Sequence, residues 1–367
     1  MEQIQTRQLN EKKNGIANFT AQFWKDKVLL GGTKLPLGQV SADVLNLDLQ
    51  KLQDLRLKND RLFRSVLDML NPKEKLRPDQ VTKTQELFND TTNVVLDLPL
   101  YQYLKLDEKE MQHMFTAPYI KNPTNFERAM KIPNQISETT LKMIQAVCKI
   151  PDEMITFSVH TQSMLSNFFE RLELRQPEYY AIGVYDFFTN ELVQRDLAHG
   201  LMPFSGEGYF QSRPVSFEYV TMPNPDDKKK YIITERLEFH TAAAFLHTDF
   251  YRGLIQGNAP RKCHNCGWYF LLTEGYNTCY CNNIAPGETE KTCRKIGPHR
   301  KQSNPKGKTP AQTEYKIVYD RLKMRKHRGK ISTDEWNSAV AKALEWKDKA
   351  ERGEINDSEL KEILGGF

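Results

Sequence analysis

Long apolar runs are missing from this 367-residue chain. No stretch approaches the roughly 18 to 20 consecutive apolar residues that span a bilayer, and mean hydropathy is −0.63. A membrane-embedded protein is therefore excluded as an expectation. The first ten residues, Met-Glu-Gln-Ile-Gln-Thr-Arg-Gln-Leu-Asn, carry no apolar segment of the secretory kind, which predicts a cytoplasmic address. Several motifs that announce catalysis are also missing. Leu29–Gly38 contains glycines and a lysine but lacks the G-x4-G-K-[ST] spacing that cradles phosphate, and is expected to be a turn. His240 and His247 stand seven apart with no H-E-x-x-H, and no G-x-S-x-G or paired-acid signature is present. Arg300, His327 and either Tyr315 or Tyr319 are the residue types of a tyrosine recombinase, but not in its order or spacing. No catalytic residue is assigned.

Cysteine is scarce as well, with six in all, yet five of them fall within Cys263–Cys293. In a reducing compartment such crowding favours metal over disulfide. Cys263 and Cys266 form a C-x2-C pair, which places two thiolates on one ion across a tight turn. Cys281 follows after fourteen residues and Cys293 after eleven more, completing a closed four-sulfur set of the structural kind for Zn2+. Cys279, two residues before Cys281, competes for the third position. His264 and His299 are lesser alternatives, since His264 lies between the paired cysteines where its ring points away. A redox role for the pair is disfavoured because it does not open a helix in a βαβ unit. The sixth, Cys148, sits alone on an apolar stretch and is expected to be a core thiol.

The +5 net charge is unevenly spread. From Arg261 to Lys330 there are 16 Lys and Arg against five Asp and Glu, a local balance of +11 that leaves −6 for the remainder. A basic segment beside a metal site predicts a phosphate-facing surface. Its candidate residues are Arg294, Lys295, Arg300, Lys301, Lys306 and Lys308 after the last cysteine, with Arg325, Lys326 and Arg328 at the end of the next helix. The competing reading is that such side chains are solvated and favour helix C-termini. Trp268 and Tyr269 either stack on bases or form a miniature core.

Periodicity predicts an α+β chain. Residues 1–40 show none. Helices are expected over Leu45–Leu70, ended by Asn71-Pro72, then at Asp79–Leu96, Lys105–Phe115, Thr139–Val147, Thr161–Leu172 and His240–Ile255. Alternation over Val215–Thr221 and strand formers over Tyr231–Phe239 predict an antiparallel hairpin. Within the cysteine-rich region, Trp268–Leu272 is expected to turn through Gly275-Tyr276-Asn277 and pair with Thr278–Cys281. Beyond it, Thr309-Pro310 opens a helix, Ser332 and Glu335 form a capping box, and Gly329-Lys-Ile-Ser is echoed by Gly353-Glu-Ile-Asn. The expected organisation is a mostly helical N-terminal α+β domain (1–258) with a β-hairpin, a treble-clef-like Zn(Cys)4 module (259–308) and a three-helix tail (309–367).

The run Cys-x2-Cys-Gly-x-Tyr-Phe, Tyr-Cys and Thr-Cys-Arg-x-x-Gly, followed by a helix and Gly-Lys-Ile-Ser-x-x-Glu-Trp, resembles the C-terminal part of an uncharacterised bacterial protein family. Its finger is similar to the CGNR-type zinc finger at the C-terminus of proteins read as bacterial transcription regulators. The resemblance covers residues 240–367. It implies zinc ligands at Cys263, Cys266, Cys281 and Cys293, choosing Cys281 over Cys279, and it implies nucleic-acid binding, DNA above all. Here Arg294-Lys295-Ile296-Gly297 follows the last cysteine where that finger has Gly-Asn-Arg. The expected function is a nucleic-acid-binding zinc protein. The rival is a zinc-stabilised adaptor whose protein partner meets the N-terminal domain or the helical tail.

Overall fold

The computed structural model describes residues 14–69, 78–109, 135–198, 215–273, 278–303 and 309–367. Those up to Arg294 form one compact unit and those from Lys295 to Phe367 a second.

The first unit is built on strand formers at its two ends. Phe19, Ala21 and Phe23 alternate inward along β1 (Phe19–Trp24), which pairs antiparallel with β2 (Lys27–Leu30); β2 in turn pairs with β3 (Thr33–Pro36). This small meander corrects the expectation of an aperiodic start and a lone turn at Leu29–Gly38. Four-residue strands are too short to set a period, so the alternation emerges only once they pair. On its other side β1 pairs with β5 (Asp227–Phe239), and β5 with β4 (Ser216–Asn224), giving the antiparallel order β3-β2-β1-β5-β4. The hairpin β4–β5 is the expected one, with strands that run right up to Pro225-Asp226.

Helices cover the sheet. After α1 (Gln39–Val44) come α2 (Leu49–Met69), α3 (Pro78–Leu96) and α4 (Pro99–Leu104). Lys105, with φ 52°, is the left-handed C-cap of α4, so this helix lies before the expected Lys105–Phe115 segment; residues 110–115 fall outside the described residues. The two helices expected at Thr139–Val147 and Thr161–Leu172 are one, α5 (Gln135–Asn167), continuous through Pro151 and followed by a 3-10 turn at Phe169–Arg171. Proline removes one N–H and strains one turn, but the buried face on either side (Ile144, Val147, Ile150, Met154, Ile155, Phe157) holds the helix together. Then follow α6 (Pro177–Thr189), α7 (Glu191–Ala198) and α8 (Ala242–Ile255). Phe19, Phe239 and Phe245 meet at ring distances of 5.3 to 5.7 Å in the main core. Cys148 is a half-buried thiol whose Sγ lies 3.7 Å from the Asn59 carbonyl oxygen, and burial pushes its pKa up to about 11.

The second unit follows its caps. Thr309 accepts from the Gln312 amide at the start of α10 (Pro310–His327). Capping boxes at Ser332 with Glu335 and at Asn356 with Glu359 open α11 (Thr333–Glu351) and α12 (Asp357–Gly365). Their shared core is Ala311, Val318, Leu322, Ala343, Leu360 and Leu364. Among the described residues, no helix is long and apolar enough to cross a membrane.

One buried acid locks α1 onto α8. The Asp249 carboxylate accepts from the Gly38 amide, the Ser41 amide and the Ser41 hydroxyl at 2.8 to 2.9 Å. Burial raises its pKa to about 6 although these donors pull it down. Asp249→Asn sets an amide N–H against one of the donors and should cost about 2 kcal/mol or more. A folded pKa above the ordinary carboxylate value means the folded chain holds this proton more tightly than the unfolded chain. The resulting stability is present at low pH and is lost as pH rises through about 6. Urea unfolding at about pH 5 and about pH 7 should show this decline in the parent chain and not in the Asn variant.

Candidate metal centre

The cysteines are delivered by a hairpin, a returning loop and a helix start. Strand β6 (Ala259–Lys262) pairs antiparallel with β7 (Tyr269–Leu272), and the C-x2-C pair occupies the turn between them. The Cys263 amide donates to the Trp268 carbonyl at 2.8 Å and the Gly267 amide to the Cys263 carbonyl at 2.9 Å, closing the turn. Gly267 has φ 78°, a left-handed conformation that favours glycine. The partner of β7 is thus the strand before the knuckle. The expected return strand Thr278–Cys281 is instead irregular, held by the His264 amide on the Cys279 carbonyl at 2.9 Å. Spacing alone hid this, because a C-x2-C turn can itself be a hairpin loop. The expected turn at Gly275-Tyr276-Asn277 lies outside the described residues.

From Cys281 the chain doubles back through an Ile284–Thr292 bridge. The Cys293 amide donates to the Asn283 carbonyl at 2.9 Å and the Arg294 amide to the Cys281 carbonyl at 3.0 Å. Cys293 opens α9 (Cys293–Ser303), so the last sulfur stands at a helix N-terminus. A knuckle followed by a loop and a helix carrying the last cysteine is a treble-clef-like order.

The sulfurs of Cys263, Cys266, Cys281 and Cys293 all lie within 4.8 Å of one another, three of the residues buried and one half-buried. Cys279 is outside the set, as is His264, whose ring lies edge-on to Tyr280 at 6.2 Å. The side chain of His299 falls outside the described residues. Donors already point at the sulfurs: the Cys281 amide reaches Cys263 Sγ at 3.4 Å and Asn265 Nδ2 reaches Cys293 Sγ at 3.2 Å. Burial pushes the Cys263 thiol up, but the amides of Cys281, Cys266 and Asn265 bring it down to about 7. Burial raises Cys266 and Cys281. The set is therefore suited to a divalent cation that displaces the remaining protons.

The hairpin is fastened to the core by a side chain the sequence did not single out. Asn46 Oδ1 accepts from the Tyr269 amide at 2.6 Å and Asn46 Nδ2 donates to the Tyr269 carbonyl at 2.8 Å. An Asn far away in sequence carries no local signal for such a clamp.

The expected phosphate-facing residues are placed unevenly. Arg294 and Lys295 are exposed at the start of α9. Arg300 and Lys301 lie on α9 with side chains outside the description, and Lys306 and Lys308 fall outside the described residues altogether. At the end of α10, Arg325 Nη1 donates to the Phe367 carbonyl at 2.8 Å and Lys326 Nζ sits 4.4 Å from the Trp336 ring centroid, while Arg328 is exposed. Trp268 is 59% exposed and Tyr269 is buried, so the aromatic run divides between surface and core.

Over residues 210–363 the chain matches the model of a family of unknown function (DUF6076). The matched stretch includes all four clustered cysteines. No curated protein and no solved structure matches the chain.

Asn46→Ala should remove both bonds to Tyr269 and destabilise the chain by about 2 kcal/mol, measured by denaturant unfolding.

Proposed function

We propose that Cys263, Cys266, Cys281 and Cys293 hold one structural Zn2+ ion. The observation that carries this is the convergence of four sulfurs within 4.8 Å. An all-sulfur tetrahedral set selects zinc or iron over hard cations, and four protein ligands leave no open position for a reacting water. The ion's role is then to tie the start of α9 to the β6–β7 knuckle. A reducing compartment, the cytoplasm among them, keeps the thiols available for it.

Purified chain should contain about one zinc per molecule. Cys281→Ser should lower that ratio and Cys279→Ser should leave it intact, as read by metal analysis. Iron in place of zinc, with visible thiolate-to-iron absorption, would overturn the zinc assignment while keeping the site.

We further propose that the metal-organised C-terminal region binds nucleic acid, DNA above all, using Arg294, Lys295, Arg300, Lys301, Lys306, Lys308, Arg325, Lys326 and Arg328. The +11 balance of Arg261–Lys330, the exposure of Arg294, Lys295, Arg328 and Trp268, and the likeness of the cysteine frame to the CGNR-type finger support this reading. If six or more of these cations meet phosphate, affinity should fall by several decades between about 50 and about 200 mM salt. Mobility shifts with duplex and single-stranded DNA at those two concentrations measure it.

A protein-binding adaptor is favoured by a different observation. Phe217, Tyr219, Tyr231 and Ile233 are between 55 and 74% exposed on the β4–β5 hairpin, with β4 at the edge of the sheet. Exposed aromatic clusters of this kind mark protein contacts. No retardation of any DNA even in dilute buffer would leave the adaptor reading standing.

A further inference from the structure

Beside the first cysteine of the cluster lies a cavity of about 440 Å3. Its apolar wall comes from Leu165 near the end of α5, Phe169 in the 3-10 turn and Leu272 at the end of β7. Its polar wall is cationic. Arg175 has a side chain only 8% exposed, and its guanidinium donates to the carbonyls of Phe169 and Glu170. Arg261, 9% exposed, donates through Nη1 to the Thr278 carbonyl at 3.0 Å. Lys262 adds a third cation from an exposed position.

Against these stands one carboxylate on the cavity wall. Glu170 Oε2 lies 3.6 Å from Arg175 Nη2, and its side chain is 40% exposed. Burial lowers the Arg175 pKa, and the positive charge of Arg261 on the same cavity wall lowers it further. Holding two like charges together in a poorly solvated wall is unfavourable, and an anion between them offsets that cost. Tyr180, stacked on Phe169 at 5.4 Å, brings a buried hydroxyl without a hydrogen-bond partner among the described residues. Both arginines lie near enough for their charges to act on it.

We propose that this cavity binds a small molecule with an apolar body and a terminal oxyanion, a carboxylate or a phosphate. The anionic end lies between Arg175 and Arg261, and the body rests on Leu165, Phe169 and Leu272. Pockets of this size take ligands of ordinary metabolite dimensions, with a few placed polar groups setting orientation. The inference is independent of the nucleic-acid reading. The rival role for the arginines is counter-charge for the sulfur cluster, since Cys263 also lines the cavity. Both guanidinia, however, donate to backbone carbonyls, while the sulfurs receive the Cys281 amide and Asn265.

Calorimetry on the full metal-containing chain tests it, with phenyl phosphate, benzoate, inorganic phosphate and the neutral benzamide as probes. One of the two aromatic anions should bind, and whichever binds tighter identifies the oxyanion; phosphate alone should bind more weakly for want of an apolar body. Glu170→Gln removes the competing carboxylate from a partly exposed position and should tighten the anion several-fold. Arg175→Met should weaken it by about tenfold or more. Absence of heat with both aromatic anions at millimolar concentration overturns the proposal, as does benzamide binding equally well. So does unchanged or weaker anion binding in Glu170→Gln, a substitution that the counter-charge role predicts to be without benefit. Metal content, measured on each variant, separates loss of the anion site from loss of the sulfur cluster.

Discussion

Four sulfurs within 4.8 Å cannot all be thiolates in a half-dry site unless a cation sits among them. That constraint governs the stretch from Cys263 to Cys293. Amide donors stabilise one negative charge at Cys263, and burial keeps Cys266 and Cys281 protonated. A divalent metal would resolve the conflict by exchanging protons for coordination bonds. The segment such an ion would organise has little regular structure of its own: between β7 and α9 the described residues show a single isolated bridge. The position of Cys293, and with it the first turn of α9, therefore depends on what the sulfurs share.

The knuckle is nonetheless not a free-standing finger. Ala259 and Tyr269 belong to the main core, Leu272 is buried, and Asn46 clamps the backbone of Tyr269. Asp249 in turn fixes the helix that leads to Asn46. A chain of polar clamps thus links α8, α1 and β7, made by the buried Asp249 and the half-buried Asn46, whose side chains meet backbone donors or acceptors directly. Such bonds contribute modestly when made but are costly to break. Metal loss should accordingly be felt first in the Cys281–Cys293 loop, and much less in a β6–β7 pair that the core already holds.

What sequence alone reveals follows from where its signals are local. The caps at Thr309, Ser332 and Asn356 satisfy amides within one turn, and all three helices they open stand where expected. The long amphipathic stripe of α2 and the alternation in β4 and β5 were equally legible, as was the cysteine frame. The failures are non-local. Strands β2 and β3 were too short to show a period, Pro151 was overruled by burial on both sides, and β7 took its partner from before the knuckle. The cavity joins Arg175 to Arg261, and the clamp joins Asn46 to Tyr269; neither pair shares any pattern that spacing could expose.

Charge shows the same limit. A count along Arg261–Lys330 treats every Lys and Arg as available to an anionic partner, but burial and internal contacts divide them. Arg261 is buried against the Thr278 carbonyl, Arg325 is bonded to the Phe367 carbonyl, and Lys326 lies over Trp336. These spend part of their electrostatic reach inside the fold, where they support loops and a helix end. Arg294, Lys295 and Arg328 are exposed, as are Lys262, Lys291, Lys323 and Lys330, and Arg325 despite its bond. A phosphate backbone would therefore meet fewer cations than the local +11 suggests, and the salt dependence of binding scales with the number met rather than the number present. The same segment supplies cations to two environments of opposite character: a solvated surface, where salt screens them, and a half-closed cavity wall, where it does so much less.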